Sequence, residues 1–208
     1  MYKLPYFSEE DNDKVVDHMR RNPFAIICGM DTTYPVATQV PLDLKIVNDK
    51  IILTGHMMKN TDHHKAFLKN ENVLVIFTGP HCYVSASWYI KQDIASTWNY
   101  ISVHAKGKIT FGDEAATRKI VENLTNQYEQ PESAAAFDKL PVEYIDRLVK
   151  AIVGFTIEVE SKDNVFKLSQ NHEPATRESI IKHLNKNGSD NEKEIASEMQ
   201  QRIGMPKM

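Results

Sequence analysis

Two cysteines, two tryptophans and eight glycines are a small allowance for 208 residues, and each scarcity excludes something. Cys28 and Cys82 both fall inside apolar, strand-like runs, so reduced and buried thiols are the expectation. Neither has a lysine or arginine beside it in sequence to activate it as a nucleophile. The glycines form neither G-x-G-x-x-G nor a P-loop, and no serine sits in a G-x-S-x-G setting. Paired carboxylates at a strand end are missing too, which leaves a hydrolase with little support. No apolar run reaches the roughly eighteen residues of a membrane span, and the N-terminus has no apolar signal core. A soluble cytoplasmic protein without membrane contact is expected. The net charge of -3, with a pI near 6.2, supplies no global basic field for nucleic acid or anionic lipid. Local basic patches remain open.

What is present is an ordinary globular balance, 41% hydrophobic and 25% charged, in a chain long enough to bury a core. Ser8 with Glu9, Glu10 and Asp11 predicts a helix start, and Asn22-Pro23 its end. Phe24–Cys28, Tyr34–Leu44 and Ile51–Thr54 read as three strands of an antiparallel meander. Pro35 and Pro41 put the second of these at an edge or a bulge. Thr61 or Asp62 caps a short helix to Leu68. Val73–Phe77 and Asn99–Phe111 are strand runs on either side of the segment holding both tryptophans, Trp88 and Trp98. Asp113 caps an amphipathic helix with Ala116, Ile120, Leu124 and Tyr128 on one stripe, and Pro141 opens another helix. Ile152–Val159 returns to strand and pairs with Val165–Leu168. From Pro174 the composition changes to two polar helices separated by Asn185–Asn191. Helices intervene too rarely for a doubly wound parallel sheet, so the reading is a mostly antiparallel β-barrel with helices at one side.

The segment from His56 to Lys65 concentrates three histidines, two lysines, Asn60 and Thr61 between a strand end and a helix start. Free amides and the positive end of a helix dipole, with Lys59 beside them, suit a phosphate. A solvated polar loop is the plain alternative. Metal binding by His56, His63 and His64 is weaker still, because adjacent histidines on a helix point apart. Lys167-Leu168-Ser169-Gln170-Asn171 ends a strand with four polar side chains. It is either a turn or a hydrogen-bonding edge for a polar ring ligand or a partner chain. Trp88 and Trp98 suit a half-buried ligand wall, a core or a dimer interface.

Several ordered segments together resemble the PaiB family. They are Ala37–Leu42, Gly55-His56-Met57, Gly79–Ser85, Ser87-Trp88-Tyr89, Thr97–Tyr100, Val103-His104, Gly107-Lys108, Ile152–Phe155 and Lys167–Asn171. Members are described as FMN-binding negative transcriptional regulators, associated in bacilli with repression of sporulation and protease synthesis. The resemblance implies an α+β fold of the flavin type, an antiparallel split β-barrel with a helical C-terminal tail. It implies a homodimer with FMN at the subunit interface. It divides the chain into an FMN-binding domain over 1–172 and a tail over 173–208, packed on the body or on the partner subunit. Carried over by residue, Thr38, Gln39, His56, Lys59, Asn60, Thr61 and His63 would hold phosphate and ribityl chain, and Trp88, Trp98 and Asn99 would wall the ring end. Gln39 stands where relatives often show His, and Thr61-Asp62 where they commonly show Asn-Pro. A repressor that touches promoter DNA directly or indirectly is the expected function. Arg177, Lys182, His183 and Lys186 are the best candidates for a DNA-facing helix, although a solvated face is the commoner role of such a row. The alternative is an FMN-dependent oxidoreductase, or a flavin- or haem-binding protein without DNA contact, with His172 or His183 as haem ligand. No residue pair is visibly poised for proton transfer, which favours the regulator over the enzyme.

Overall fold

Pro23, Pro35 and Pro41 punctuate the first third of the chain, and hairpins form between and after them. The computed structural model describes residues 1, 4–91 and 93–203. The strands are β1 (Phe24–Met30), β2 (Pro35–Pro41), β3 (Asp43–Val47), β4 (Lys50–Met58), β5 (Asn72–Val84), β6 (Thr97–Phe111) and β7 (Ile152–Lys167). The helices are α1 (Asn12–Arg21), α2 (Asp62–Lys69), α3 (Glu114–Tyr128), α4 (Val142–Ala151), α5 (Pro174–Asn187) and α6 (Asp190–Gln200). The strands form one sheet in the order β2-β1-β5-β6-β7-β4-β3. The chain divides into two compact units, and β5, β6 and β7 contribute residues to both.

One unit comprises Met19–Phe77 and His104–Lys162. Its β1–β2 and β3–β4 hairpins are antiparallel, and so are the β1–β5 and β4–β7 pairings. The expected meander is corrected here: β2 and β3 stand at opposite ends of the strand order. Pro41 has no N–H to continue a ladder, so the predicted strand over 34–44 stops there. Leu42 then turns inward, 4% exposed, with its amide on the carbonyl of Pro23 at 2.9 Å. Pro35 and Pro41 do lie on an edge strand, as a missing donor requires. Asn48 and Asp49 turn the second hairpin with φ of 50° and 63°, a left-handed pair that these short polar side chains tolerate. The core gathers Ile27, Leu53, Val75, Phe155 and Ile157, all fully buried. Burying each side chain of this size stabilises the fold by about 1.5–3 kcal/mol. On α3 the buried residues are Thr117 and Val121, while Tyr128 is exposed; the stripe predicted through Ala116 and Tyr128 is rotated. Thr117 faces inward because its hydroxyl accepts from the amide of Gly154 at 2.9 Å. A methyl on Gly154 would meet the Ile120 and Thr117 atoms at about 3 Å, so glycine lets α3 lie on β7.

The other unit comprises Met1–His18, Thr78–Val103 and Asp163–Met208. Here β5 runs past the expected strand over Val73–Phe77 and continues through Gly79-Pro80 to Val84. A Cβ on Gly79 would lie 2.2 Å from His18 Cε1, so this glycine is spent on close approach to a ring rather than on a turn. The α5 face formed by Ile180, Ile181 and Leu184 and the α6 face formed by Ile195, Ala196 and Met199 are buried. Ser189 and Glu192 close a capping box at the start of α6. Arg202, just past α6, donates to Glu198 at 2.6 Å and Glu9 at 2.8 Å.

β7 is a single strand of 16 residues, not the expected pair over 152–159 and 165–168. Its middle, Glu160 to Asp163, carries only polar side chains at half-buried or exposed positions. A polar stretch of this kind reads as a turn in sequence, yet extended backbone tolerates it wherever water covers both faces.

Candidate functional site

The loop between β4 and α2 is built by short-range hydrogen bonds and by α4. The Lys59 amide donates to the Ala151 carbonyl at 3.0 Å, and Lys59 Nζ donates to the Val149 carbonyl at 3.3 Å. Asn60 takes a left-handed φ of 65°, which asparagine accepts at modest cost. Its amide donates to His64 Nδ1 at 3.2 Å. Thr61 caps α2: its hydroxyl accepts from the His64 amide at 3.3 Å, donates to the Met58 carbonyl at 3.2 Å and meets His63 Nε2 at 3.0 Å. α2 packs on β1 and β2, so closely that a Cβ on Gly29 would stand 2.5 Å from the Phe67 ring. Thr38 and Gln39 belong to that β2, opposite Ile27 and Ile26 in register. Thr38 is half-buried and Gln39 exposed, its amide on the Phe24 carbonyl at 3.4 Å.

One part of the expected anion site is corrected. The first-turn amides of α2 are not free: the His63 amide donates to Asp62 Oδ1 at 2.7 Å, and the His64 amide is taken by Thr61. Asp62 is held below the usual carboxylate range mainly by that His63 amide, with further help from the His63 ring at 3.1 Å. An exposed carboxylate therefore occupies the dipole end. A phosphate here would be gripped by side chains instead, namely the Lys59 ammonium and the hydroxyl and amide groups around it.

Two histidines of the loop are kept neutral. Burial lowers the pKa of His56, whose Nδ1 is buried with no hydrogen-bond partner among the described residues. Burial likewise lowers His64, followed by the charges of His63, Lys59 and Lys65. The His64 ring lies edge-on to Phe111 with centroids 4.9 Å apart. An unpartnered buried ring nitrogen, a lysine and a set of hydroxyl and amide donors suit a polyol phosphate such as the ribityl phosphate of FMN.

Trp88, Trp98 and Asn99 lie in the other unit, and each has local partners there. Trp88 stacks on His183 of α5 at 5.2 Å and 6°, and its carbonyl accepts from Ser179. Trp98 is 53% exposed, set against Tyr83 and His81 at 6.1 and 6.2 Å. Asn99 is fully buried, bonded to Ser169 at 3.0 Å, with its amide also on Met199 Sδ. His172 packs its ring on Tyr89 at 4.6 Å. Arg177 is corrected as a DNA-facing residue: it is 6% exposed and donates to the Arg202 carbonyl at 2.7 Å. Lys182, His183 and Lys186 on the same helix are exposed. Among the described residues, no group of three histidines, cysteines or acids could hold a metal ion. Nor is any helix long and apolar enough to cross a membrane.

The roles of His81 and Tyr83 beside Trp98, and of Lys167 beside Thr97, were not legible in sequence. For the first pair the only available signal is a period of two along β5, which puts His81 and Tyr83 on one face.

Comparison with known proteins adds a lineage to this geometry. The family described as "Putative FMN-binding domain" matches residues 1–161. The chain is 30% identical over 204 residues to protease synthase and sporulation protein PAI 2 of Bacillus subtilis, covering 98% of each chain. It is also 30% identical over 183 residues to the uncharacterized protein AN0679 of Emericella nidulans, covering 73% of each. Among solved structures it resembles the flavocytochrome Anf3 of Azotobacter vinelandii, with a TM-score of 0.62 at 15% identity over 80% of this chain and 72% of that one. The FAD and heme binding protein of Mycobacterium smegmatis gives a TM-score of 0.57 at 15% identity, over 77% and 73%. At such identities these two establish the fold alone, an α+β antiparallel split barrel. The full-length relation to PAI 2 and the matched FMN-binding domain establish more: this chain is a member of the PaiB family of FMN-binding split-barrel proteins.

Proposed function

We propose that this chain is a PaiB-type negative regulator of transcription, working as an FMN-binding homodimer in the cytoplasm. The observation that carries the reading is the relation to PAI 2 along 98% of both chains, a relative named for protease synthase and sporulation. Such an alignment spans both the loop and the C-terminal helices, and not the barrel alone.

Thr38, Gln39, His56, Lys59, Asn60, Thr61 and His63 would hold the phosphate and ribityl end of FMN. Lys59 supplies the cation, and Thr38, Thr61, Gln39 and Asn60 supply hydroxyl and amide donors. His63 is already oriented by Asp62, whose Oδ1 lies 3.1 Å from its Nδ1. When bound, FMN supplies one- and two-electron redox chemistry. Direct DNA contact through α5 would use Lys182, His183 and Lys186, and its salt dependence would be correspondingly shallow.

The test is an FMN titration followed by absorbance, on the wild-type chain and on Lys59→Ala. Loss of a charge-assisted hydrogen bond is expected to weaken FMN by about tenfold or more. Unchanged affinity in the variant would remove Lys59 from the phosphate site. A gel shift with promoter DNA at low salt reports on the second half of the reading. A flat response at high protein concentration would leave only indirect regulation.

A further inference from the structure

The strand end Lys167–Asn171 is used by neither the loop site nor the DNA-facing helix. Its Lys167, Ser169 and Asn171 line a cavity of about 320 Å³ together with Phe7, Ile94, Thr97 and Asn99. All of these residues belong to one unit, and none is shared with the β4–α2 loop. A volume of this size is at the lower end of small-molecule sites.

Its chemistry is uneven. Lys167 is half-buried, and burial lowers the pKa of its amine. The amine donates to Thr97 Oγ1 and stands 5.9 Å from the centre of the Phe7 ring. Among the described residues no carboxylate pairs with it. A cation drawn out of water with only a hydroxyl and a ring for company lacks its counter-charge. Next to it the floor is rigid. Asn99 is fully buried and engages Ser169 through both of its amide atoms, at 3.0 and 3.1 Å. Ser169 is itself held at φ 62°, a left-handed conformation that serine seldom adopts. The apolar part of the lining comes from Phe7, beside the amine, and from Ile94.

We infer that this cavity is a binding site for a small monocarboxylate with an apolar body, its carboxylate on Lys167 and its hydrocarbon against Phe7 and Ile94. One cation with hydroxyl neighbours matches a single negative charge. A phosphate dianion would call for the second cation or the row of amides that anion sites of that kind display. In the proposed regulator the site is a place for an effector; it shares no residue with the β4–α2 loop and, of the residues expected at the ring end of FMN, contains Asn99. Its existence does not depend on FMN or DNA binding.

The experiment is calorimetric titration of the full chain with benzoate and with hexanoate, beside benzamide as the uncharged analogue. It is repeated on Lys167→Met, which keeps the length of the stem, and on Lys167→Arg. Binding of at least one acid, about tenfold or more weakened in Lys167→Met, largely retained in Lys167→Arg and not matched by benzamide, is the expected result. Amide NMR shifts on adding the acid should centre on Thr97, Asn99 and Ser169. Absence of binding at millimolar acid, equal affinity in a folded Lys167→Met, or shifts centred elsewhere would overturn the assignment. Circular dichroism of Lys167→Met separates lost binding from lost folding. If that variant does not fold, the wild-type shift map and the benzamide comparison still decide.

Discussion

His64 accepts a hydrogen bond from the Asn60 amide on Nδ1, and that requires an unprotonated nitrogen. Burial and the nearby charges of His63, Lys59 and Lys65 push its pKa below the ordinary 6.5, and burial does the same to His56. Both rings therefore bind fewer protons folded than unfolded. Their contribution to stability is complete above the unfolded value of 6.5 and declines as pH falls through it, because the unfolded chain takes up the protons. The melting temperature is expected to drop between about pH 7 and pH 5, and His64→Gln, which can still accept from Asn60, should flatten the slope. An identical slope in His64→Gln and in His56→Gln would assign the acid sensitivity to other groups. At Cys82 the same physics acts on a thiol. Burial first, and then the charge of Glu192, push it up to about 12, which makes this cysteine a structural residue rather than a nucleophile.

At the scale of elements, α6 is held at both ends and along its apolar face. Its capping box satisfies first-turn donors, and its apolar face is buried through Ile195, Ala196 and Met199. Its end is held by Arg202, which is 7% exposed and bridges Glu198 and Glu9. Removing the cation of a buried charge cluster leaves its carboxylates desolvated without that counter-charge. Arg202→Met is therefore expected to destabilise the protein by about 3–5 kcal/mol, read as a shift in the urea midpoint. A loss below about 1 kcal/mol would show that water replaces the guanidinium without difficulty. The caps Thr61, one of two residues offered for α2, and Asp113 were legible before the structure, since a Thr or Asp ahead of an amphipathic run has a local purpose, whereas Ser189 fell inside the expected polar break over 185–191. The face of α3 was less legible. Thr117 is polar by type and buried by its bond to Gly154, a contact 37 residues away.

For the whole molecule, one strand order contains hairpins that the chain presents side by side. The edge strands β2 and β3 carry different protections: Pro35 and Pro41 on β2, Asp43 and Lys45 on β3. Met30, Tyr34 and Met58 are apolar and more than half exposed in the unit that holds the loop site. Exposed apolar surface of this kind is expected to be covered in the proposed homodimer. Light scattering of the purified chain should give about twice the chain mass of 23.8 kDa, with or without FMN. A monomer at micromolar concentration would count against the dimer and remove the subunit-interface version of the FMN site.

By itself the sequence determined the class of the fold and the starts of the helices capped by Thr61 and Asp113. It also marked the polar loop from His56 to His63 as a candidate anion site and, through its ordered motifs, pointed to the family. These are local or cumulative signals: a cap, a period of two, a proline, a string of short matches. Only the tertiary structure decided that β2 and β3 part to opposite edges and that β7 runs unbroken through a polar middle. It also decided that Gly79 makes room for His18, that Arg177 is buried, and that Asp62 and Thr61 take the His63 and His64 amides at the start of α2. Each of these depends on which distant or neighbouring group arrives at the same point. Residue type and spacing carry no record of that meeting, whereas packing and the pairing of buried polar groups do.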